Sequence, residues 1–226
     1  MVKRTNKIKY SLFILFCILF LALIVPIING KNFHLDTELL NKAEQKYGKS
    51  ARSRLTAWEN LIILDNSQTD LEKLEKVNQF FNKMEFVDDI DHWRVKDYWA
   101  TPIEFIGTQG GDCEDFTIAK YFTLKAMGIK DEKLNLTYVK SITYNVHHMV
   151  LAYYSSPGSE PLILDNIVKD IHPASKRTDL LPIYSFNGTG MWLAKQRGKG
   201  KLAGSSSQLQ RWQDLVQRMS EDNLSQ

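Results

Sequence analysis

Cys113 is the residue best placed to do chemistry, because it stands at the predicted start of an apolar helix within Gly110-Gly111-Asp112-Cys113-Glu114-Asp115-Phe116. A helix N-terminus stabilises a thiolate, which is the nucleophilic form of cysteine. A nucleophilic cysteine also needs a base to take its proton, usually a histidine. His147 and His148 begin a strand-like segment further along the chain, and Asp165 ends the next one.

Neighbouring antiparallel strands would place one of these histidines beside Asp165, whose carboxylate would then orient the imidazole ring. Successive side chains of a strand point to opposite faces, so only one of His147 and His148 can face such a site. The strand pattern alone does not say which. The residue types favour a cysteine nucleophile with a histidine base, and the alternatives are an inert buried cysteine, a structural histidine and a turn-capping aspartate.

Three acids surround the predicted nucleophile: Asp112, Glu114 and Asp115. Their negative charge should raise the pKa of the Cys113 thiol and oppose thiolate formation. Helix capping explains part of the pattern, because acids favour the first turn and Asp112 fits an N-cap with Asp115 three residues on. A hard cation with oxygen ligands, above all calcium in an exported protein, would relieve the repulsion. The residues leave both explanations open.

Residues 1–30 predict a targeting segment, with a basic start and an apolar run from Leu12 to Ile28. The run is longer than an ordinary signal core and no Ala-x-Ala-like site follows it, so a cleaved signal peptide and a single membrane anchor both remain open. Cys17 lies within this run without the preceding small residue of a lipoprotein, and we interpret it as one more apolar residue. Either way, the chain is predicted to leave the cytoplasm.

Export makes the remaining cysteine unusual, because exported proteins normally pair their cysteines or lack them. Cys113 is the only cysteine beyond residue 30, so it is a reactive thiol without a role, the partner in an intermolecular disulfide or a functional thiol. The 29 Lys and Arg residues include four before residue 30, which leaves 25 against 26 acids. That balance, without a basic stripe interleaved with aromatics, predicts no nucleic-acid partner.

The elements that would position these residues begin with helices. Helical spacing over residues 36–64 predicts one helix, or two broken near Gly48. Thr69 and Glu72 predict a capping box at the start of the next helix. Residues 87–106 are aromatic and acidic without a clear period, and predict an ordered loop leading into the site.

The predicted central helix runs from Asp112 to Met127, is apolar on nearly every side and ends before Gly128, which suits its C-terminal cap. Five strand-like segments follow: Leu134 to Ile142, His148 to Tyr154, Pro161 to Asp165, Pro182 to Phe186 and Gly190 to Leu193. Helices followed by consecutive strands predict an α+β fold in one domain.

The tail from Lys195 has a basic Gly/Ser linker and a predicted amphipathic helix near Leu209 to Met219. We expect this tail to be a solvated extension, with contact to a membrane surface or a partner as the alternative.

Over roughly residues 36 to 194, the chain resembles the bacterial transglutaminase-like cysteine proteinases, and specifically the LapG-type periplasmic proteases. Each motif is short, but their order and spacing together are specific. The motifs that carry the resemblance are Trp99-Ala100-Thr101-Pro102, Gly111-Asp112-Cys113-Glu114-Asp115, Ala119-Lys120-Tyr121, His148-Met149-Val150-Leu151-Ala152-Tyr153-Tyr154, Leu164-Asp165-Asn166 and Pro182-Ile183-Tyr184-Ser185-Phe186-Asn187.

The resemblance implies a papain-like, transglutaminase-type α+β domain at 31–194, with a central cysteine-bearing helix packed on an antiparallel sheet. It implies a triad of Cys113 as nucleophile, His148 as base and Asp165 as orienting carboxylate, and leaves His147 outside the motif. It also implies calcium dependence, with Asp112, Glu114 and Asp115 as the calcium ligands. The Cys113 backbone N–H, with Gln109 as a possible second donor, would form the oxyanion site.

The implied function is a calcium-dependent periplasmic cysteine endopeptidase. Family members cleave the N-terminal region of a large cell-surface adhesin at a paired-alanine site, which controls biofilm release. They are sequestered by an inner-membrane cyclic di-GMP receptor. Acyl transfer to an amine, as in transglutaminases, and a non-catalytic partner-binding module are the alternatives. The membrane is expected to be contacted only through the N-terminal segment.

Overall fold

The computed structural model describes residues 33–63, 68–193, 202–206 and 209–222. The predicted targeting segment at 1–30, with Cys17, lies outside the described residues, as does most of the linker after Lys195. No helix in the described ranges is long and apolar enough to cross a membrane.

The N-terminal region forms three helices. Helix α1 spans Thr37–Tyr47 and α2 spans Lys49–Ile63. They are separated at Gly48, whose φ of 87° favours glycine, so the two-helix alternative is confirmed. Helix α3 spans Asp70–Phe81 and opens with the predicted capping box of Thr69 and Glu72.

The stretch expected to be an ordered loop contains two short helices, so that prediction is wrong in part. After β1 (Glu85–Phe86), helix α4 spans Asp89–His92 and α5 spans Pro102–Thr108. Helix α5 begins with a capping box of Thr101 and Glu104 and carries proline in its first turn. It is too short to show a hydrophobic period, which is why the pattern over 87–106 did not indicate it.

The predicted central helix is confirmed as α6, Cys113–Ala126, directly after the two-residue strand β2 (Gly110–Gly111). Its C-terminus is a Schellman motif: the Gly128 N–H donates to the Lys125 carbonyl at 2.8 Å and the Ile129 N–H to the Leu124 carbonyl at 3.0 Å. Most of α6 is buried, so it forms the centre of the core.

A seven-stranded antiparallel sheet follows α6 and confirms the α+β prediction. Its strands lie in the order β6-β5-β4-β3-β7-β8-β9. They are β3 (Leu134–Ser141), β4 (His147–Tyr153), β5 (Leu162–Leu164), β6 (His172–Pro173), β7 (Leu180–Phe186), β8 (Met191–Leu193) and β9 (Leu202–Gly204). The main core lies between the helices and one face of this sheet.

The C-terminal helix α7, Gln210–Glu221, packs against that core. Trp212, Leu215 and Met219 on one face of α7 are buried. The Trp212 ring stacks on Phe122 with centroids 5.6 Å apart. The expectation of a solvated tail is therefore wrong, because the apolar stripe of the predicted amphipathic helix covers part of the protein's own core.

Candidate active site

Cys113 is the first residue of α6 and lies against strand β4. The Thr117 hydroxyl, one turn further on, lies 2.9 Å from the Cys113 carbonyl oxygen and 3.0 Å from the Met149 carbonyl oxygen, and so connects the first turn of α6 to β4. Hydrogen bonding with the Met149 backbone acts to lower the pKa of the Cys113 thiol, against the larger effect of burial. The thiol is thus held beside the residue that follows His148.

His148 and Asp165 form a buried pair. His148 Nε2 lies 2.8 Å from Asp165 Oδ1, and each residue is 2% exposed. His147, in contrast, is exposed, and its ring stacks on Tyr138 with centroids 5.3 Å apart. The alternation of the strand therefore gives the two histidines different environments, and His148 is the one beside the carboxylate.

Arg177, Lys120 and Asn82 hold Asp165 in place by hydrogen bonds. Arg177 Nη2 donates to Asp165 Oδ2 at 2.7 Å. The Asp165 main-chain carbonyl accepts from Lys120 Nζ at 3.0 Å and from Asn82 Nδ2 at 2.9 Å. Burial alone would raise the pKa of Asp165, but hydrogen bonds from His148, the Ile167 backbone and Arg177 hold it well below its usual range. The carboxylate is therefore ionised at neutral pH.

Sequence reasoning missed these supporting residues. Lys120 is 1% exposed, and burial lowers its pKa to about 7. Its position in the middle of an otherwise buried helix was the available signal, because a lysine there must find a polar partner. No sequence pattern indicated Arg177 or Asn82.

The thiol of Cys113 donates to Glu114 Oε2 at 2.7 Å. Burial, followed by the charges of Glu114 and Asp112, raises the pKa of Cys113 well above its ordinary value. The repulsion expected from the sequence is therefore present, and in this arrangement the thiol keeps its proton. Gln109, the predicted second oxyanion donor, is exposed at the C-cap of α5, where its side-chain oxygen accepts from Arg54.

The acids around the thiol fall into two groups. Carboxylate oxygens of Asp89, Asp112 and Asp115 lie within 4.8 Å of one another, and so do potential ligand atoms of Asp112, Cys113 and Glu114. The predicted ligands Asp112 and Asp115 thus meet Asp89, which the sequence analysis did not propose. Glu114 lies in the second group. The parallel pairing of β1 with β2 brings the chain before Asp89 alongside the glycines before Asp112.

Capping accounts for only part of this cluster. Asp112 accepts from the Glu114 N–H at 3.2 Å and Asp115 accepts from the Asp112 N–H at 3.3 Å, as in a capping box. Asp89 is 4% exposed, and its Oδ1 has no hydrogen-bond partner in the described part of the chain. Within the described residues, no basic side chain forms an ion pair with Asp89, Asp112 or Asp115.

The acid cluster of Asp89, Asp112 and Asp115 therefore has no compensating positive charge among the described residues. Burial and neighbouring carboxylates raise the pKa of Asp89 to about 6 and that of Asp112 to about 10, and burial raises the pKa of Asp115 well above its usual range. Three converging carboxylates with an unpartnered buried oxygen are the donor set that a hard divalent cation such as calcium prefers. These residues fit the predicted metal.

Comparisons with known proteins identify a related family and related structures. Residues 49–196 match the family model of the bacterial transglutaminase-like cysteine proteinases. EGTA-treated Legionella pneumophila LapG is 47% identical, with a TM-score of 0.72 over 80% of this chain and 96% of that chain. Calcium-bound LapG from the same organism is 47% identical, with a TM-score of 0.70 over 80% of this chain and 98% of that chain.

A search of curated proteins gave no match. The family model covers more than half of the chain, and the LapG structures cover most of it at high identity. The chain therefore belongs to the bacterial transglutaminase-like cysteine proteinases and has their α+β fold.

Proposed function

We propose that this cysteine protease is a calcium-dependent endopeptidase in which Cys113 is the nucleophile, His148 the base and Asp165 the orienting carboxylate. The observation that carries the proposal is the buried pair of His148 and Asp165. His148 lies on β4, which the Thr117 hydroxyl connects to the first turn of the helix that begins at Cys113. A histidine whose Nε2 is held by a carboxylate has Nδ1 left to exchange a proton with a thiol.

The reaction follows from these roles. His148 takes the proton of Cys113, and the thiolate attacks the peptide carbonyl carbon. The resulting oxyanion is stabilised by the Cys113 backbone N–H, which has no acceptor within the first turn of α6. His148 then gives its proton to the leaving amine, and the acyl-enzyme forms. Finally, His148 takes a proton from water, which attacks the thioester carbon and breaks its bond to sulfur. The carboxylic acid product leaves, and the Cys113 thiolate takes the proton back from His148.

The acids determine when this proton transfer is possible. With its hydrogen bond to Glu114, the thiol is held as a donor to a carboxylate instead of to the imidazole. Asp89, Asp112 and Asp115 would hold calcium, and Glu114 lies close enough to Asp112 to join them. When bound, the cation would neutralise the negative charge that raises the pKa of Cys113.

Substrate, partner and location complete the proposal. The substrate is the N-terminal region of a large cell-surface adhesin, cleaved at a paired-alanine site, and its cleavage releases cells from a biofilm. The enzyme acts in the periplasm, free or tethered through residues 12–28, and an inner-membrane cyclic di-GMP receptor sequesters it. What supports these assignments is the resemblance to the LapG-type proteases, together with the predicted targeting segment.

The test is cleavage of an adhesin fragment that contains a paired-alanine site. Cys113→Ala and His148→Ala should each lower the rate by about a thousandfold or more. His147→Ala is the matched control, since it removes an exposed imidazole one residue away, and should leave the rate within about twofold. Chelation by EGTA should stop cleavage, and calcium should restore it.

Each part of the proposal can fail separately. Cleavage by Cys113→Ala would remove the nucleophile assignment, and full activity in EGTA would remove the calcium assignment. Incorporation of an amine label without hydrolysis would instead assign the chain to acyl transfer.

A further inference from the structure

The C-terminal helix α7 contacts the segment Tyr98–Ala100 through Arg218. Arg218 Nη1 donates to the Tyr98 hydroxyl oxygen at 2.7 Å and forms an ion pair with Glu104. Its Nη2 donates to the main-chain carbonyl of Trp99. The guanidinium carbon also lies 4.5 Å from the centre of the Tyr98 ring. One side chain of α7 thus fixes both side chain and backbone of this segment.

The same segment holds two members of the acid cluster by its backbone. The Tyr98 N–H donates to Asp89 Oδ2 at 2.5 Å, and the Ala100 N–H donates to Asp115 Oδ1 at 2.7 Å. The Trp99 carbonyl that Arg218 holds lies between these two N–H groups. A shift of the segment would therefore move both carboxylates relative to Asp112.

The rest of α7 is anchored independently of Arg218. Trp212 packs edge-on against Phe186 with ring centroids 5.4 Å apart, and Trp99 stacks on the same Phe186 ring with centroids 5.7 Å apart. Leu215 and Met219 are buried beside them. Removing the guanidinium should therefore leave α7 docked.

We propose that α7 positions the acid cluster, and that Arg218 is the positioning residue that transmits its effect through residues 98–100. The proposal gives a role to a helix that lies beyond residue 196, where the family match ends. It rests on the proposed function in that the acid cluster is taken to bind calcium. Groups that orient metal ligands typically contribute a factor of 10 to 100 to metal affinity.

The fork shape of the guanidinium is the feature that matters, because three acceptors are held at once. Lysine has the same charge but cannot hold a hydroxyl, a carboxylate and a carbonyl in that arrangement. Arg218→Lys and Arg218→Met should therefore have similar effects. Arg211→Met is the matched control: Arg211 is on the same helix and pairs with Asp97 at 2.7 Å, but its side chain is 56% exposed.

The experiment measures calcium binding by titration calorimetry on the full chain, together with amide hydrogen exchange of Tyr98 and Ala100 without calcium. Both Arg218 variants should bind calcium about tenfold or more weakly, should exchange these two amides faster, and should recover activity at saturating calcium. The calcium affinity and the amide exchange rates of Arg211→Met should stay within about twofold of those of the wild type.

The outcomes separate the two proposals. Unchanged calcium affinity and unchanged exchange in both Arg218 variants would overturn the positioning role, while the proposed function would stand. A wild type that binds no calcium would remove the calcium assignment. In that case, the positioning role is decided by the exchange of Tyr98 and Ala100 alone, which should still become faster in the variants.

Discussion

Replacing Lys120 by methionine should change how the stability of the protein depends on pH. Lys120 has a pKa of about 7 in the folded protein, against 10.5 for a free lysine, because burial disfavours its charged form. Between these two pH values the unfolded chain binds a proton that the folded protein does not. The contribution of Lys120 to the free energy of unfolding therefore becomes more favourable as the pH rises from about 7 to 10.5. Below about pH 7, Lys120 is charged in both states, and the folded protein is destabilised by the full free energy of burying that charge.

The size of the effect follows from the same two values. One pH unit over which a full proton is released corresponds to about 1.4 kcal/mol. Allowing for partial titration at both ends, the contribution of Lys120 to the free energy of unfolding should rise by roughly 3 kcal/mol between about pH 7 and pH 10. Methionine also leaves the Asp165 carbonyl and Asn82 Oδ1 with one donor fewer. That loss does not depend on pH, so it cancels when two pH values are compared.

The assay is urea unfolding of the wild type and Lys120→Met at about pH 7 and about pH 10. The stability of the variant relative to the wild type should be higher at the lower pH, by roughly 3 kcal/mol. Lys125→Met is the control, since Lys125 is on the same helix but has a side chain that is 35% exposed. The reasoning would be refuted if the difference in the free energy of unfolding between the wild type and Lys120→Met changed by less than about 0.5 kcal/mol between the two pH values.

Three further predictions concern the residues that support the site. Gly111→Ala should lower stability by about 1–3 kcal/mol and weaken calcium binding, because a Cβ at residue 111 would clash with the Asp115 carboxylate and lie 2.9 Å from the Asp115 Cβ. Thermal unfolding would measure the stability and calorimetry the calcium affinity. An unchanged calcium affinity would contradict the prediction. Trp212→Ala should cost about 3–5 kcal/mol in urea unfolding, whereas a solvated tail would lose almost nothing. Arg177→Met should cost about 3–5 kcal/mol at neutral pH by breaking a buried ion pair. The pKa of Asp165 is depressed in the fold, so this difference should shrink as the pH falls below about 4, and a constant difference would contradict the assigned pairing.

The fold could be predicted where local signals repeat or where a single residue type fulfils a backbone requirement. The capping box at Thr69 and the glycine at 128 fixed helix ends that the structure reproduces. The start of α6 at Cys113 followed from an acid N-cap before an apolar helix. Helix α5 was missed because seven residues are too few for a hydrophobic period. The docking of α7 was missed because an amphipathic stripe does not reveal which surface it covers.

The candidate site could be predicted only in part. The types and order of Cys113, His148 and Asp165 suggested a nucleophile, a base and an orienting group, and the structure brings the last two within 2.8 Å. Asp89 was missed because its place beside Asp112 depends on the pairing of β1 with β2, strands of two residues each. Arg177 was missed because it reaches Asp165 from a turn between strands, where no period indicates the direction of a side chain.

The distribution of buried charge around the nucleophile separates the two carboxylate sites. On one side, the Asp165 carboxylate is hydrogen-bonded by His148 and paired with Arg177, so the chain itself supplies the partners that keep this carboxylate ionised. On the other side, Asp89, Asp112 and Asp115 accept hydrogen bonds from backbone N–H groups and have no basic partner among the described residues. Buried carboxylates without a positive partner raise the free energy of the folded protein. A cation from solution would therefore stabilise the protein most by binding at the acid cluster. In the proposed mechanism, the protonation of Cys113 is therefore controlled at the acid cluster, while the chain's own hydrogen bonds hold the His148–Asp165 pair.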